Sequence, residues 1–227
     1  PGSAFKPFVY ISALNEGFNP STLILDAPYV IDQGPGLPKW KPANYTEEFY
    51  GLTTMRTGIE KSRNLMTIRL ANEIGIPKIL KTAKDFGIDK FLDDNLSMSL
   101  GSGLVKLIDI TNAYGIIANG GKKIKPNFIQ SIHNKEGKLI FKSTQKKCDN
   151  CIVKSLDNNF IIPNILDNKE IILDPRIAYQ ITSMMEGVVQ RGTGIKLKDL
   201  GFSLAGKTGT TNDNTDAWFI GYSPDIV

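Results

Sequence analysis

The chain has little of what most enzymes use for acid–base or metal chemistry. Among 227 residues it holds one histidine, two cysteines and two tryptophans. The cysteines, Cys148 and Cys151, form a lone Cys-Asp-Asn-Cys. Such a pair can be a local disulfide or incidental thiols, half of a metal site, or a redox couple. A tetrahedral zinc site needs about four ligands, and His133 could supply at most a third. The flanks are polar and carry no βαβ pattern, so a structural role is the favoured reading. No apolar run approaches the roughly 18 residues of a membrane span, and no signal peptide is present. The net charge of +4 comes from scattered residues. Lys122-Lys123 and Lys146-Lys147 are the only adjacent lysines. A nucleic-acid surface would need a clustered basic stripe, so no nucleic-acid partner is expected. Hydrophobic content of 41% and charged content of 22% fit a soluble globular domain with ample core. Pro1 is not a natural initiator, and the C-terminal end stops just after an apparent strand, so a fragment of a longer protein is expected.

Residues 3–15 predict a helix opened by Pro1-Gly2-Ser3, with Pro7 in its first turn, where a missing N–H costs little. Residues 19–50 are rich in Pro, Gly, Asn and Asp and read as irregular surface-covering chain. Residues 53–86 read as helical, interrupted near Ser62–Asn64 and again at Pro77. Leu107, Ile110, Tyr114 and Ile117 share one helix face, and Asn119-Gly120-Gly121 stops that helix. Residues 127–142 resemble a hairpin around Asn134–Gly137. The polar stretch 143–172 reads as an insertion or elaborated loop within one domain spanning 1–227. Ile177, Ile181, Met184, Met185 and Val188 predict an amphipathic helix ended by Gly192-Thr193-Gly194. Phe202–Ala205 and Ala217–Tyr222 read as adjacent strands, the second buried on both faces because its apolar run is continuous. The sum is an α+β fold, helices flanking an antiparallel sheet.

Three short motifs carry the chemistry: Ser3-Ala4-Phe5-Lys6, Ser62-Arg63-Asn64 and Lys207-Thr208-Gly209. They supply a hydroxyl, an amine base, a second hydroxyl, an amide and a second amine. That kit suits acyl transfer through a serine ester and needs no histidine. Ser-x-x-Lys alone is weak, since 13 serines and 22 lysines give about one match by chance. A second match, Ser143-Thr144-Gln145-Lys146, lies in a polar stretch with no helix pattern and is set aside. On a helix, Lys6 shares a face with Ser3, and a helix start offers free backbone N–H groups to an oxyanion. A serine there can equally be a cap, with Lys6 solvated. A lysine base must lose its proton more easily than usual, which burial and a nearby cation such as Lys207 would achieve. Gly209 would let a substrate backbone lie against its strand, and the Thr208 and Thr210 hydroxyls could bind a carboxylate beside Lys207.

With these motifs in order, the chain resembles the transpeptidase domain of class A (bifunctional) penicillin-binding proteins. The likeness is nearly end to end. Pro1–Phe8 is similar to the family's nucleophile segment. Trp40-Lys41-Pro42-Ala43-Asn44-Tyr45 and Lys61–Leu65 fit its second-motif region. Leu100–Gly103 and Ala118–Gly121 fit its central helices, Gly192-Thr193-Gly194 fits the turn ahead of its third motif, and Ala205–Asp213 with Asp216–Tyr222 fit its third-motif strand pair. Only about residues 143–172 lack a counterpart. The resemblance implies a serine β-lactamase/penicillin-binding transpeptidase-like fold, present here without its outer strands. It implies that Ser3 is acylated and Lys6 is its base, and that Ser62 and Asn64 complete the proton path and hold the donor peptide. It implies that Lys207, Thr208, Gly209 and Thr210 hold a D-Ala-D-Ala stem peptide, and that the N–H groups of Ser3 and Thr210 form the oxyanion hole. Peptidoglycan stem peptides and β-lactam antibiotics are the implied partners, with no metal and no organic cofactor. The family also implies a glycosyltransferase domain and a membrane anchor elsewhere, with this domain on the periplasmic face.

Rival readings share the motifs. A serine β-lactamase needs a water-activating carboxylate, and no Glu-x-x-Leu-Asn-like segment is present. A D,D-carboxypeptidase differs only in its acceptor, and the flanking blocks argue against it. A non-catalytic β-lactam or peptide sensor belongs to a different class, and loss of Lys6 would have favoured it.

Overall fold

The computed structural model describes residues 1–32, 34–36, 38–90, 92–143, 148–149, 164–165, 169–211 and 215–227. The chain forms two compact units. The larger comprises Pro1–Lys123 with Ile171–Val227, and the smaller is Ile124–Glu170.

At the centre of the larger unit lies α1 (Lys6–Asn15), preceded by one 3₁₀ turn, Gly2–Phe5. Its sequence is apolar on every side, and a helix of that kind can only be stable when surrounded. Phe5, Phe8, Val9, Tyr10, Ile11 and Ala13 are all fully buried. Phe8 stacks at ring-centroid distances of 5.4 Å on Phe5, 5.6 Å on Phe86 and 6.2 Å on Tyr114.

The 19–50 stretch is less irregular than expected. Leu23–Asp26 forms β1, which pairs antiparallel with β2 (Gly51–Thr54), Leu23 opposite Thr54. The pairing partner lies more than 20 residues away, so no local hairpin signal marks it. The helical stretch opens with α2 (Met55–Glu60), capped by Thr54, whose hydroxyl accepts the Thr57 N–H. It then breaks at Ser62 as expected and continues as α3 (Asn64–Ile74) and α4 (Ile76–Asp85). The second break falls at Gly75, which adopts φ 89°, and not at Pro77. Pro77 lies in the first turn of α4, where it gives up no hydrogen bond. Helix α5 (Leu107–Ala118) runs as its periodicity predicts and stops at Asn119-Gly120-Gly121.

In the smaller unit, β3 (Ser131–His133) and β4 (Leu139–Lys142) form the expected hairpin. The Asn134 side chain accepts the N–H groups of Glu136 and Lys138 across its turn. Strands β5 (Cys148–Asp149) and β6 (Asn164–Ile165) pair antiparallel. Cys151 lies outside the described residues, so the expectation for the cysteine pair does too. Most of the 143–172 stretch, including Lys146, also lies outside them.

The chain closes in the larger unit with α6 (Pro175–Gln190), β7 (Ala205–Thr210) and β8 (Ala217–Tyr222). Asp174 caps α6, with Pro175 opening its first turn. β7 packs against α6 and the Gly2–Phe5 turn. β7 and β8 pair antiparallel, Lys207 opposite Ile220. The expectation that β8 is buried on both faces fails. Ile220 and Tyr222 are buried, whereas Phe219 is 40% exposed. The ribbon has two strands, and helices cover only one of its faces. Among the described residues, no helix is long and apolar enough to cross a membrane.

Candidate active site

Ser3 lies in the 3₁₀ turn, and its side chain caps neither that turn nor α1. The turn is pinned from three directions. Tyr114 Oη donates to Ala4 O at 2.8 Å. Gly2 N donates to Gly101 O at 3.1 Å. The third contact is with β7, where a Cβ on Gly209 would strike Pro1 O and come within 3.0 Å of Ala4 N. Gly209 was expected to make room for a substrate backbone. Its side-chain position is instead filled by the chain's own Ser3 turn, so glycine here permits β7 to close on that turn.

Lys6 points from α1 into the second motif. Its amine donates to Ser62 O at 2.7 Å, Asn64 Oδ1 at 2.7 Å and Ser62 Oγ at 3.3 Å. The three ammonium donors thus go to Ser62 and Asn64 and not to Ser3. Lys207 reaches the same hydroxyl from β7, with Nζ at 2.8 Å from Ser62 Oγ. It also donates to Thr208 O at 3.0 Å. The Ser62 hydroxyl therefore lies between two amines that are 201 positions apart in the chain. Both lysines are fully buried. Burial pushes the Lys6 amine well below the ordinary lysine value, and the charge of Lys207 adds to that. Burial lowers Lys207 to about 7. A buried ammonium loses its hydration, so the neutral amine gains relative to it.

Ser62 is held in an unusual backbone state. Its φ is 55°, in the left-handed region. Ser62 N donates to Ile59 O and Arg63 N to Gly58 O, closing α2 in a Schellman motif whose left-handed position is usually glycine. A side chain there costs about 1–2 kcal/mol. Strain of this kind is typical of functional positions, and here it aims the hydroxyl at both lysines.

Thr208 and Thr210 lie along β7, Thr208 half-buried and Thr210 exposed. Thr210 and Asn64 help to line a cleft of about 520 Å³, with Gly101, Ser102 and Trp40. The cleft adjoins the turn that carries Ser3. No group of three His, Cys, Asp or Glu that could hold a metal exists among the described residues.

A family model described as "Penicillin binding protein transpeptidase domain" matches residues 1–226. The chain belongs to this transpeptidase family. Penicillin-binding protein 1A of Rickettsia bellii is 48% identical over 228 residues, covering 100% of this chain and 29% of the relative. Penicillin-binding protein 1A of Neisseria lactamica is 37% identical over 230 residues, covering 100% of this chain and 27% of that protein. The chain thus spans less than a third of the length of the curated relatives it matches. Among solved structures, penicillin-binding protein 1A from Haemophilus influenzae is similar with a TM-score of 0.84 at 24% identity. The match covers 97% of this chain and 36% of that one. The imipenem acyl-enzyme complex of penicillin-binding protein A from M. tuberculosis has a TM-score of 0.76 at 20% identity, covering 99% and 52%. These likenesses establish the transpeptidase fold, helices around small antiparallel sheets.

Within that fold, the structure brings Lys6, Ser62, Asn64 and Lys207 into one hydrogen-bonded cluster, one turn along from Ser3. Sequence reasoning gave no role to the residues that brace the cluster. Asn44 caps α3 from 20 positions upstream, accepting from Asn64 N at 2.9 Å and Leu65 N at 3.3 Å. Glu60 is buried and pairs with Arg191 at 2.5 and 2.9 Å. Glu60 O accepts the Thr193 N–H, and the Thr193 and Thr208 hydroxyls are 2.7 Å apart. Caps are normally sought within a few residues of a helix start, so Asn44 is marked by the family likeness of Trp40–Tyr45 and not by a local capping pattern. Gly192-Thr193-Gly194 ends α6 and, in keeping with its likeness to the turn ahead of the family's third motif, meets that motif through Thr193.

Proposed function

We propose that this chain is a serine D,D-transpeptidase domain that cross-links peptidoglycan stem peptides through an acyl-enzyme on Ser3 and is acylated there by β-lactams. The observation that carries this reading is the Ser62 hydroxyl suspended between the Lys6 and Lys207 amines. In the neutral form, Lys6 takes the proton of Ser3 Oγ as that oxygen attacks the penultimate D-Ala carbonyl. The backbone N–H groups of Ser3 and Thr210 stabilise the oxyanion. The proton then passes from Lys6 through Ser62 to the leaving D-Ala nitrogen, and the C–N bond breaks. The amine of a neighbouring stem peptide attacks the ester, restoring Ser3 and closing the cross-link. Thr208, Thr210 and the Lys207 charge receive the terminal carboxylate, and a bound carboxylate favours the charged form of Lys207. Gly209 serves by admitting the Ser3 turn beside this strand. No metal or organic cofactor is required.

Likeness to penicillin-binding protein A from M. tuberculosis, seen as acyl-enzymes with imipenem and penicillin G, supports β-lactams as ligands. The Eggerthella lenta neighbour is a D,D-transpeptidase domain of a peptidoglycan glycosyltransferase, which supports a second, glycosyltransferase activity in the whole protein. With cell-wall substrates, the proposed location is the periplasmic face of the inner membrane, with an anchor outside these residues. The test is labelling with fluorescent penicillin. Ser3→Ala should abolish covalent labelling while leaving the melting temperature near that of the parent. Undiminished labelling would reject Ser3 as the nucleophile.

A further inference from the structure

Asn64 accepts a hydrogen bond from Lys6, so whatever orients Asn64 also orients the amine. Asn64 is the first residue of α3, and the residue before it, Arg63, offers no side-chain cap. Asn44 takes over that duty. Its carbonyl oxygen accepts the Asn64 and Leu65 N–H groups, and its amide nitrogen donates to Asp26 Oδ1 at 2.8 Å and Glu48 O at 2.9 Å. These four partners allow one orientation of the Asn44 amide, oxygen toward the helix and nitrogen toward the carboxylate. The backbone oxygen of the adjacent Ala43 accepts from Asn64 Nδ2 at 2.8 Å. One dipeptide therefore holds both the main chain and the side-chain amide of Asn64.

Behind it, Asp26 is fully buried and Asn44 is 4% exposed. Asp26 Oδ2 lies 3.9 Å from Arg63 Nε and accepts no hydrogen bond among the described residues. A buried carboxylate that gives one oxygen to the Asn44 amide and meets only a long ion pair with the other is placed to hold that amide. We propose that Asp26 and Asn44 are positioning residues for the reaction: the buried carboxylate fixes the Asn44 amide, which fixes Asn64, which aims the Lys6 amine. This rests on the reading of Lys6 as the base for Ser3. The chain of contacts runs Asp26 Oδ1, Asn44 Nδ2 and Oδ1, Asn64 N and Oδ1, Lys6 Nζ.

The test is a swap of the amide and the carboxylate, read with a penicillin whose binding constant and acylation rate constant are measured separately. Asn44→Asp sets two carboxylates against each other in a buried space. It should lower the acylation rate constant about 100-fold, a penalty that misplacing a reacting group by about 1 Å can carry, and lower it more than it weakens binding. Asp26→Asn combined with Asn44→Asp keeps the acceptor toward α3 and restores a donor–acceptor pair behind it, losing the bond to Glu48 O and the Asp26–Arg63 ion pair. That double variant should recover acylation to within about tenfold of the parent, since only misplacement was lost. A parental acylation rate in Asn44→Asp overturns the proposal. So does a folded double variant that stays inactive, or one that fails to fold. Should Asn44→Asp itself not fold, the double variant decides alone. Ser3→Ala is labelled in parallel. If Ser3→Ala still labels, the underlying catalytic reading has failed. If it does not label and Asn44→Asp acylates normally, only the positioning role has failed.

Discussion

Replacing Lys207 by methionine should flatten the pH dependence of stability on the alkaline side of neutrality. Lys207 is fully buried, and burial holds its pKa at about 7. In an unfolded chain a lysine titrates near about 10.4. Below about 7 both states carry the proton, and the folded state bears the full cost of a buried charge. Between the two values the unfolded chain binds a proton that the folded protein has released, so stability rises with pH. For one group with these two pKa values, the gain from about pH 7 to about pH 9 is about 2 kcal/mol. Lys6 is displaced in the same direction, first by burial and then by the Lys207 charge. The methionine variant loses the Lys207 share outright and part of the Lys6 share with it. Urea unfolding measured at both pH values provides the assay, with stability taken from midpoint and slope. The parent's gain should exceed the variant's by about 2 kcal/mol or more. Absolute stability is a poorer measure, because methionine also gives up the bonds to Ser62 and Thr208. The window stops at about pH 9 for a reason. Buried Tyr10, Tyr114 and Tyr222 have raised phenol pKa values. Above about 10 the unfolded chain therefore sheds protons that the folded one keeps, and the slope reverses. Equal slopes in parent and variant would refute the reading of Lys207 as a buried amine with a lowered pKa.

Two further substitutions test how the site is braced. Gly101 has φ 83°, and a Cβ there would strike Gly2 O, so Gly101→Ala should cost at least about 2 kcal/mol in urea unfolding and slow penicillin acylation. A stability within error of the parent would mean that the Gly2–Ser3 turn is free to move aside. Arg191→Ala leaves the Glu60 carboxylate buried, with Arg56 3.8 Å away as its remaining cation, and should cost about 1–3 kcal/mol. Because Thr193 ties that turn to Thr208, the same change should weaken binding of carboxylate-bearing penicillins, measured as a rise in their dissociation constant. An unchanged constant would separate the ion pair from the substrate strand.

Local chemistry determined much of this protein from its sequence alone. Pro1-Gly2-Ser3 with Pro7 in the first turn opens the first helix, and the period of Leu107–Ile117 sets the length of α5. Asn119-Gly120-Gly121 and Asn134–Gly137 stop and turn the chain through their own backbone preferences. The three motifs were legible for the same reason: each is a short run with its chemistry in the side chains. Other features depend on residues far apart in sequence, and only tertiary structure could decide them. β1 exists because Gly51–Thr54 pairs with it, not because Leu23–Asp26 is strongly strand-forming. β8 is half exposed because helices cover one face of a two-stranded ribbon, which an apolar run cannot reveal. Gly209 faces the Ser3 turn, a neighbour more than 200 positions away. Whether Lys6 is a solvated cation or a buried amine is likewise settled by Ser62, Asn64 and Lys207 closing around it. A pKa belongs to an environment, and that environment is assembled only when the helices and β7 pack together.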